Sequence, residues 1–146
     1  MKRRYLVLVG LAVVVGAVGA KLLASRFDQP KTEAVLNTPA ARNEARQVGL
    51  NNLKAALAGY LVAHDKLPVA LPAVPTEICA GSASSCRMTK LVDLNFLVGT
   101  YLASVPSDPM GGAGHYTSGF QIFREKSGAI HVIAERAEGQ SLSLTF

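Results

Sequence analysis

The chain has 146 residues, 49% of them apolar and 17% charged, which fits one domain and not two. Its net charge of +5 lies entirely in residues 1–46, which contain eight basic and three acidic side chains. Residues 47–146 contain seven of each. A nucleic-acid-binding domain needs its basic excess on the folded body, so this distribution disfavours a nucleic-acid partner and indicates membrane topology instead.

The first 24 residues have the pattern of a membrane anchor. Lys2, Arg3 and Arg4 precede residues 5–20, which have no charged side chain. A helix over residues 5–24 spans about 30 Å, enough to cross a bilayer, and the leading basic residues place the N-terminus in the cytoplasm. A cleaved signal peptide is the competing interpretation, with Val18-Gly19-Ala20 as its cleavage site.

Residues 25–39 are polar and contain Pro30 and Pro39, which we expect to interrupt any helix and form a linker. The domain boundaries are therefore an anchor or signal at 1–24, a linker at 25–39 and an extracytoplasmic domain at 40–146. The predicted localisation is the cell membrane, with a single span and an exported C-terminal domain.

Residues 40–64 have helical periodicity and Pro68 follows them. Apolar side chains recur every three or four positions, which predicts a long amphipathic helix packed on strands further along the chain. Arg46 and His64 lie at the two ends of this stripe. The predicted helix-sheet packing residues are Leu50, Leu53, Leu57, Tyr60 and Leu61.

Three segments together resemble the type IV pilin and pseudopilin family. Residues 41–46 (ARNEAR) are similar to the basic start of that family's first helix, and residues 64–68 (HDKLP) to its exit. Residues 101–109 (YLASVPSDP) are similar to the element that precedes its sheet. The resemblance covers roughly residues 40–138. It implies a structural or accessory subunit of a pilus-like or type II secretion-like assembly, with pilin-like subunits as partners in a homo- or hetero-oligomer.

The N-terminus departs from that family. Pilins usually open with a prepilin peptidase site, a glycine followed by Phe-Thr-Leu-Ile-Glu, and no acidic residue precedes Asp28 here. An acidic side chain inside a membrane span is retained where it has a function. Its absence favours a second possibility, a membrane-anchored or secreted binding module that has the fold and does not polymerise.

Cys79 and Cys86 flank a loop rich in glycine and serine. Two cysteines in an exported domain favour a disulfide, which would stabilise the fold by about 2–3 kcal/mol for a loop of this size. A metal site would need further ligands, and redox sites usually place two residues between their cysteines.

The remaining elements complete an α+β fold. Residues 91–102 predict a short amphipathic helix, residues 107–112 a turn that contains Asp108 and Pro109, and residues 115–125 and 129–136 two antiparallel strands. Residues 141–146 alternate and add a third strand. We expect the long helix to pack on one face of this small antiparallel sheet.

No catalytic group is evident in the sequence. His64, His115 and His131 have neither the spacing of metal ligands nor a neighbouring nucleophile motif. The resemblance to pseudopilins implies calcium binding at Asp108, but residues 134–140 lack the aspartates that would complete such a site. We therefore expect Asp108 to cap its turn, and we predict no enzymatic activity, no metal and no cofactor.

Overall fold

The computed structural model describes residues 38–146, and the predictions at Lys2, Arg3, Arg4, the membrane span and nearly all of the linker lie outside them. The described chain is α+β, as predicted. Helix α1 (Pro39–His64) is followed by strand β1 (Thr76–Cys79), a short helix α2 (Ala83–Cys86), and strands β2 (Thr117–Arg124), β3 (Ile130–Ala134) and β4 (Leu142–Thr145).

Both ends of α1 are capped. The Thr38 hydroxyl accepts a hydrogen bond from the Ala41 amide at 3.2 Å, and Pro39 is the first helical residue. Pro39 was predicted to be the last residue of the linker, and it is instead the first residue of the helix. A proline fits there because its missing N–H would be unpaired in the first turn, and the helix does not continue back through the extended Thr38. At the other end Asp65 adopts φ 60° and donates its amide to the Leu61 carbonyl at 2.8 Å, so the helix ends before Pro68.

The four strands form one antiparallel sheet in the order β1-β2-β3-β4. The strands predicted near residues 115–125, 129–136 and 141–146 are present with slightly shorter bounds. Strand β1 was not predicted from the sequence. It extends the sheet beside β2 and places Ile78 and Cys79 in the core.

Residues 91–102 do not form the predicted amphipathic helix. They contain one 3-10 turn, Asn95–Leu97, followed by a tight loop in which Gly99 has φ 95° and its amide donates to the Leu102 carbonyl. An α-helix cannot pass through that positive φ. Val92, Leu94, Leu97 and Leu102 are nevertheless buried, so the segment packs on the core as expected although its conformation differs.

The core lies between α1 and one face of the sheet. Leu50, Leu53 and Leu57 are fully buried, and Tyr60 and Leu61 are partly buried at its border. Alternate residues of the central strands face α1, as a strand period of two requires. They are Phe120, Ile122, Ile130, Val132 and Ala134.

No helix within residues 38–146 combines the length and the apolar composition needed to cross a bilayer.

Candidate functional site: a polar clamp on the first turns of the long helix

The first turns of α1 hold a cluster of polar side chains where the rest of the helix buries leucines. Arg42, Asn43 and Arg46 of α1 meet Asp108, in the loop before β2, and Glu138, in the loop between β3 and β4. We call these five residues the polar clamp. It connects the start of the helix to two loops that are distant in sequence.

A buried ion pair lies at the centre of the clamp. Arg46 Nε donates to Asp108 Oδ2 at 2.6 Å, and Nη2 donates to Asp108 Oδ1 at 3.1 Å. The two side chains are 1% and 0% exposed. This two-point geometry suits a guanidinium and a carboxylate, and each group here offsets the desolvation of the other. The hydrogen bond to Asp108 raises the pKa of Arg46.

Glu138 forms the outer part of the clamp. Arg42 donates to both of its carboxylate oxygens, at 2.7 and 2.8 Å, and Arg46 Nη1 reaches Oε2 at 3.2 Å. These hydrogen bonds, that from Arg42 first, lower the pKa of Glu138 from its ordinary 4.5 to about 2. The side chain is 35% exposed, so solvent screens this pair more than the pair at Asp108.

Asn43 holds the backbone of the same loop. Its Nδ2 donates to the Glu138 carbonyl at 2.8 Å, and its Oδ1 accepts the Glu138 amide at 3.0 Å. The same oxygen accepts Arg46 Nη1 at 2.8 Å. The Glu138 backbone is partly buried, and one amide side chain satisfies both its N–H and its C=O.

Local sequence positions Asp108 for its role. Its Oδ1 accepts the Met110 amide at 2.8 Å and its carbonyl accepts the Gly111 amide, so Asp108 caps the turn that continues through Pro109. Its own amide donates to the Ser118 carbonyl at 2.7 Å. The predicted turn is therefore present, and Asp108 also pairs with Arg46, which sequence reasoning missed.

Gly119 leaves room for Asp108. It has φ 82°, and a Cβ built on it would lie 2.5 Å from Asp108 Cβ. A side chain there would both strain the backbone and displace the carboxylate. The clamp therefore depends on a glycine in β2 that the sequence did not single out.

The carboxylates of the clamp are already paired with guanidinium groups, and both oxygens of Asp108 accept hydrogen bonds. Within residues 38–146, no group of three or more His, Cys, Asp or Glu side chains is arranged to hold a metal ion. The two loops of the calcium hypothesis do come together, but Arg46 lies between them and donates hydrogen bonds to both Asp108 and Glu138.

The disulfide between Cys79 and Cys86 is present. It links the last residue of β1 to the last residue of α2, and Ser82 caps that short helix by accepting the Ser85 amide at 3.3 Å. The Asn95 side chain contacts Cys86 Sγ at 3.4 Å and the Gly81 carbonyl at 3.2 Å. The bridge thus fixes the loop against the 3-10 turn, and both cysteines are buried.

The three histidines lie in separate places. His64 contacts the Tyr60 ring, and His115 contacts the Tyr116 ring. His131 stacks on Phe123 with ring centroids 4.6 Å apart, and its Nδ1 lies 2.9 Å from the Thr145 hydroxyl. Each histidine has a packing role of its own, and the structure does not bring any two of them together.

Among the described residues, two open clefts of about 390 Å³ each have no clamp residue in their lining. One lies beside the turn between β3 and β4, next to Ile133, Glu135 and Ser143. The other separates residues 69–72 from residues 90–93. The side chains of the polar clamp bond to one another across α1 and two loops, so its geometry supports a structural role: it fixes the position of α1 on the loops of the sheet.

Comparison with protein-family models, with curated proteins and with solved structures finds no match to this chain.

Proposed function

We propose that this protein is a membrane-anchored, pilin-like structural or accessory subunit of an envelope assembly. Residues 5–24 would hold it in the membrane, and residues 40–146 would form its exported domain. Its partners would be other subunits with the same fold. We propose no catalytic role for it.

The observation that supports this proposal most is the contact between Arg46 and Asp108. The two residues belong to two of the three segments that resemble pilins, ARNEAR and YLASVPSDP. They are 62 positions apart, yet they form the buried ion pair of the clamp. The two pilin-like segments therefore contact each other in the folded domain, which supports the proposal that both belong to one pilin-like fold.

Two further features agree with an exported, assembling subunit. A disulfide between Cys79 and Cys86 suits an oxidising compartment. The long α1 presents a polar outer face with exposed Val48 and Val62, while its inner face packs on the sheet. Such a face is available to neighbouring subunits.

Alkaline phosphatase fused after Phe146 tests the proposed topology in a bacterial host, because the enzyme is active only after export. We expect high phosphatase activity and retention of the fusion in the membrane fraction. A matched variant that changes Lys2, Arg3 and Arg4 to Glu should lose most of that activity, because the flanking positive charge sets orientation. An inactive wild-type fusion would contradict the export of residues 40–146.

Immunogold labelling of sheared surface material tests assembly. Labelled fibres, or labelled protein copurifying with a fibre or a secretion complex, would support the subunit role. A protein that stays in the membrane fraction without such partners would instead support the non-polymerising binding module. The absence of acidic side chains before Asp28 favours that second candidate, because the family's usual N-terminal glutamate is missing.

A further inference from the structure

The two outer edges of the sheet differ in how they are covered. At β1 the edge is paired: the Cys79 amide donates to the Val92 carbonyl and the Val92 amide donates to the Glu77 carbonyl, both at 2.9 Å. At β4 the described residues contain no strand beyond it. An unpaired edge is a template for another strand, and proteins usually protect it with charges, proline or a bulge.

Strand β4 has none of these protections. Residues 141–146 (SLSLTF) contain no charged residue and no proline, and the register between β3 and β4 is continuous. Lys54 of α1 approaches the edge, with Nζ 3.4 Å from the Thr145 carbonyl and 5.8 Å from the Phe146 ring centre. That contact is long, and a carbonyl oxygen has a second lone pair for another donor.

The hydrogen-bond pattern shows which groups face outward. Phe146 and Ile130 exchange both of their backbone hydrogen bonds, at 2.9 and 3.1 Å. Because pairing alternates along an antiparallel ladder, Leu144 and Leu142 also point their backbone groups toward β3. The N–H and C=O groups of Ser143 and Thr145 therefore point away from the sheet, and both residues are exposed.

We propose that β4 pairs with β4 of a second copy, antiparallel about a two-fold axis at Leu144. Ser143 of each copy then lies opposite Thr145 of the other, and their outward N–H and C=O groups form four hydrogen bonds. The two sheets become one continuous sheet of eight strands. This inference depends only on the described residues and not on the proposed function.

The side chains of β4 fit this register on both faces. On the face toward α1, Leu144 packs against Leu144 of the second copy, and Leu142 packs against its Phe146. These contacts cover apolar side chains that are only partly buried in one copy. On the opposite face Ser143 meets Thr145. Aliphatic-aromatic and Ser-Thr pairs are favourable cross-strand neighbours, and an uncharged strand places no like charges across the axis.

The helices also fit. Because α1 lies over β3 and β4 alike, the two copies of α1 would run side by side roughly 10 Å apart, given strand spacings of about 4.8 Å. That separation is within the normal range for packed helices. The flank of α1 nearest β4 contains Gln47, Asn51 and Lys54, with a hydrogen bond between Gln47 and Asn51. Exposed Glu44 lies three residues before Gln47 on the same side of the helix, and these polar groups would form the rim of the interface.

Cysteine cross-linking in the full-length protein in detergent tests the register. Leu144→Cys places two thiols directly opposite each other, so oxidation by copper phenanthroline and oxygen removes two protons and two electrons and forms one intermolecular disulfide. Leu142→Cys is the matched control, because its two copies would lie roughly 13 Å apart, beyond the reach of a disulfide. The native cysteines are already paired and buried.

We expect a reductant-sensitive dimer from Leu144→Cys at a yield at least tenfold above that from Leu142→Cys. Circular dichroism checks that both variants fold. Equal yields from the two variants, or no dimer from either, would overturn the proposal.

Proline at the outward position gives an independent test without cysteines. Ser143→Pro removes an N–H that does not bond to β3, so an edge strand should tolerate it. Light scattering should show its dimer dissociation constant raised at least tenfold, while Ser143→Ala, which retains the N–H, stays within threefold of wild type. If Ser143→Pro dimerises as well as Ser143→Ala, another surface forms the dimer and the proposal is wrong.

Discussion

The buried face of α1 has two halves of opposite chemistry. Its first half places Asn43 and Arg46 against loops, and its second half places Leu53 and Leu57 against the sheet. Leucine burial is non-directional, so many positions of the helix along the sheet would satisfy it. The paired geometry of Arg46 and Asp108 is satisfied at one position only. We therefore infer that the leucines supply stability and the clamp fixes the register of the helix on the sheet.

The largest effect is expected in the polar half. Arg46→Met leaves Asp108 buried without its counter-charge, so the free energy of unfolding should fall by about 3–5 kcal/mol. Adding Asp108→Asn removes that uncompensated charge and preserves an oxygen for the Met110 amide. The double variant should therefore recover at least about 1 kcal/mol relative to Arg46→Met, measured by urea denaturation. No recovery would mean that Arg46 acts through its packing alone.

In the leucine half, Leu57→Ala tests stability without polar consequences. Removing a fully buried leucine side chain should cost about 3 kcal/mol, from lost apolar burial and the cavity left behind. Exposed Val62→Ala on the same helix is the control and should change stability by less than about 0.5 kcal/mol. Equal losses in the two variants, read from denaturation midpoints, would contradict the placement of the core.

Gly49 lies at the boundary between the halves and tests how closely α1 approaches β2. A Cβ there would lie 2.7 Å from the Phe120 ring, which is itself fully buried. Gly49→Ala should therefore destabilise the fold by about 1 kcal/mol, although alanine is the better helix former by a similar amount. Gly59→Ala faces only Tyr101 at 3.2 Å, at a half-buried site, and should be neutral or stabilising in thermal melts.

The smallest effect concerns pH and the outer part of the clamp. Because the folded pKa of Glu138 is about 2, below its unfolded value, its contribution is complete above about pH 4.5. That contribution is lost as the pH falls from 4.5 toward 2. The free energy of unfolding of Glu138→Gln should therefore fall less steeply with pH over this range than that of the wild type. The control, Glu135→Gln, alters an exposed carboxylate outside the clamp and should retain the wild-type slope.

Much of the fold follows from periodicity in the sequence. Helix α1 and strands β2, β3 and β4 have clear periods, and the two cysteines have the spacing of a short bridged loop. Strand β1 has only four residues and follows a segment with three prolines, so it shows no alternation. Residues 91–102 have a helical period, but the positive φ at Gly99 ends any helix there.

The clamp was only half predictable. The turn at Asp108 is evident from its Asp-Pro sequence, whereas its pairing with Arg46 is a tertiary contact between residues 62 positions apart. One signal was present, since Arg46 falls on the same helical stripe as Leu50 and Leu53. A charged side chain on a buried stripe needs a buried partner. Nothing in the local sequence of Glu138 marked it as a further partner.

The position of the clamp also has a mechanical consequence. Arg42 and Arg46 lie within the first eight residues of α1, directly after the Thr38 cap. A pulling force that enters the domain at Thr38 is therefore passed to the Asp108 and Glu138 loops before it reaches Leu50. The domain would resist such a load at its entry point, so its hydrophobic core would be the last part to be strained.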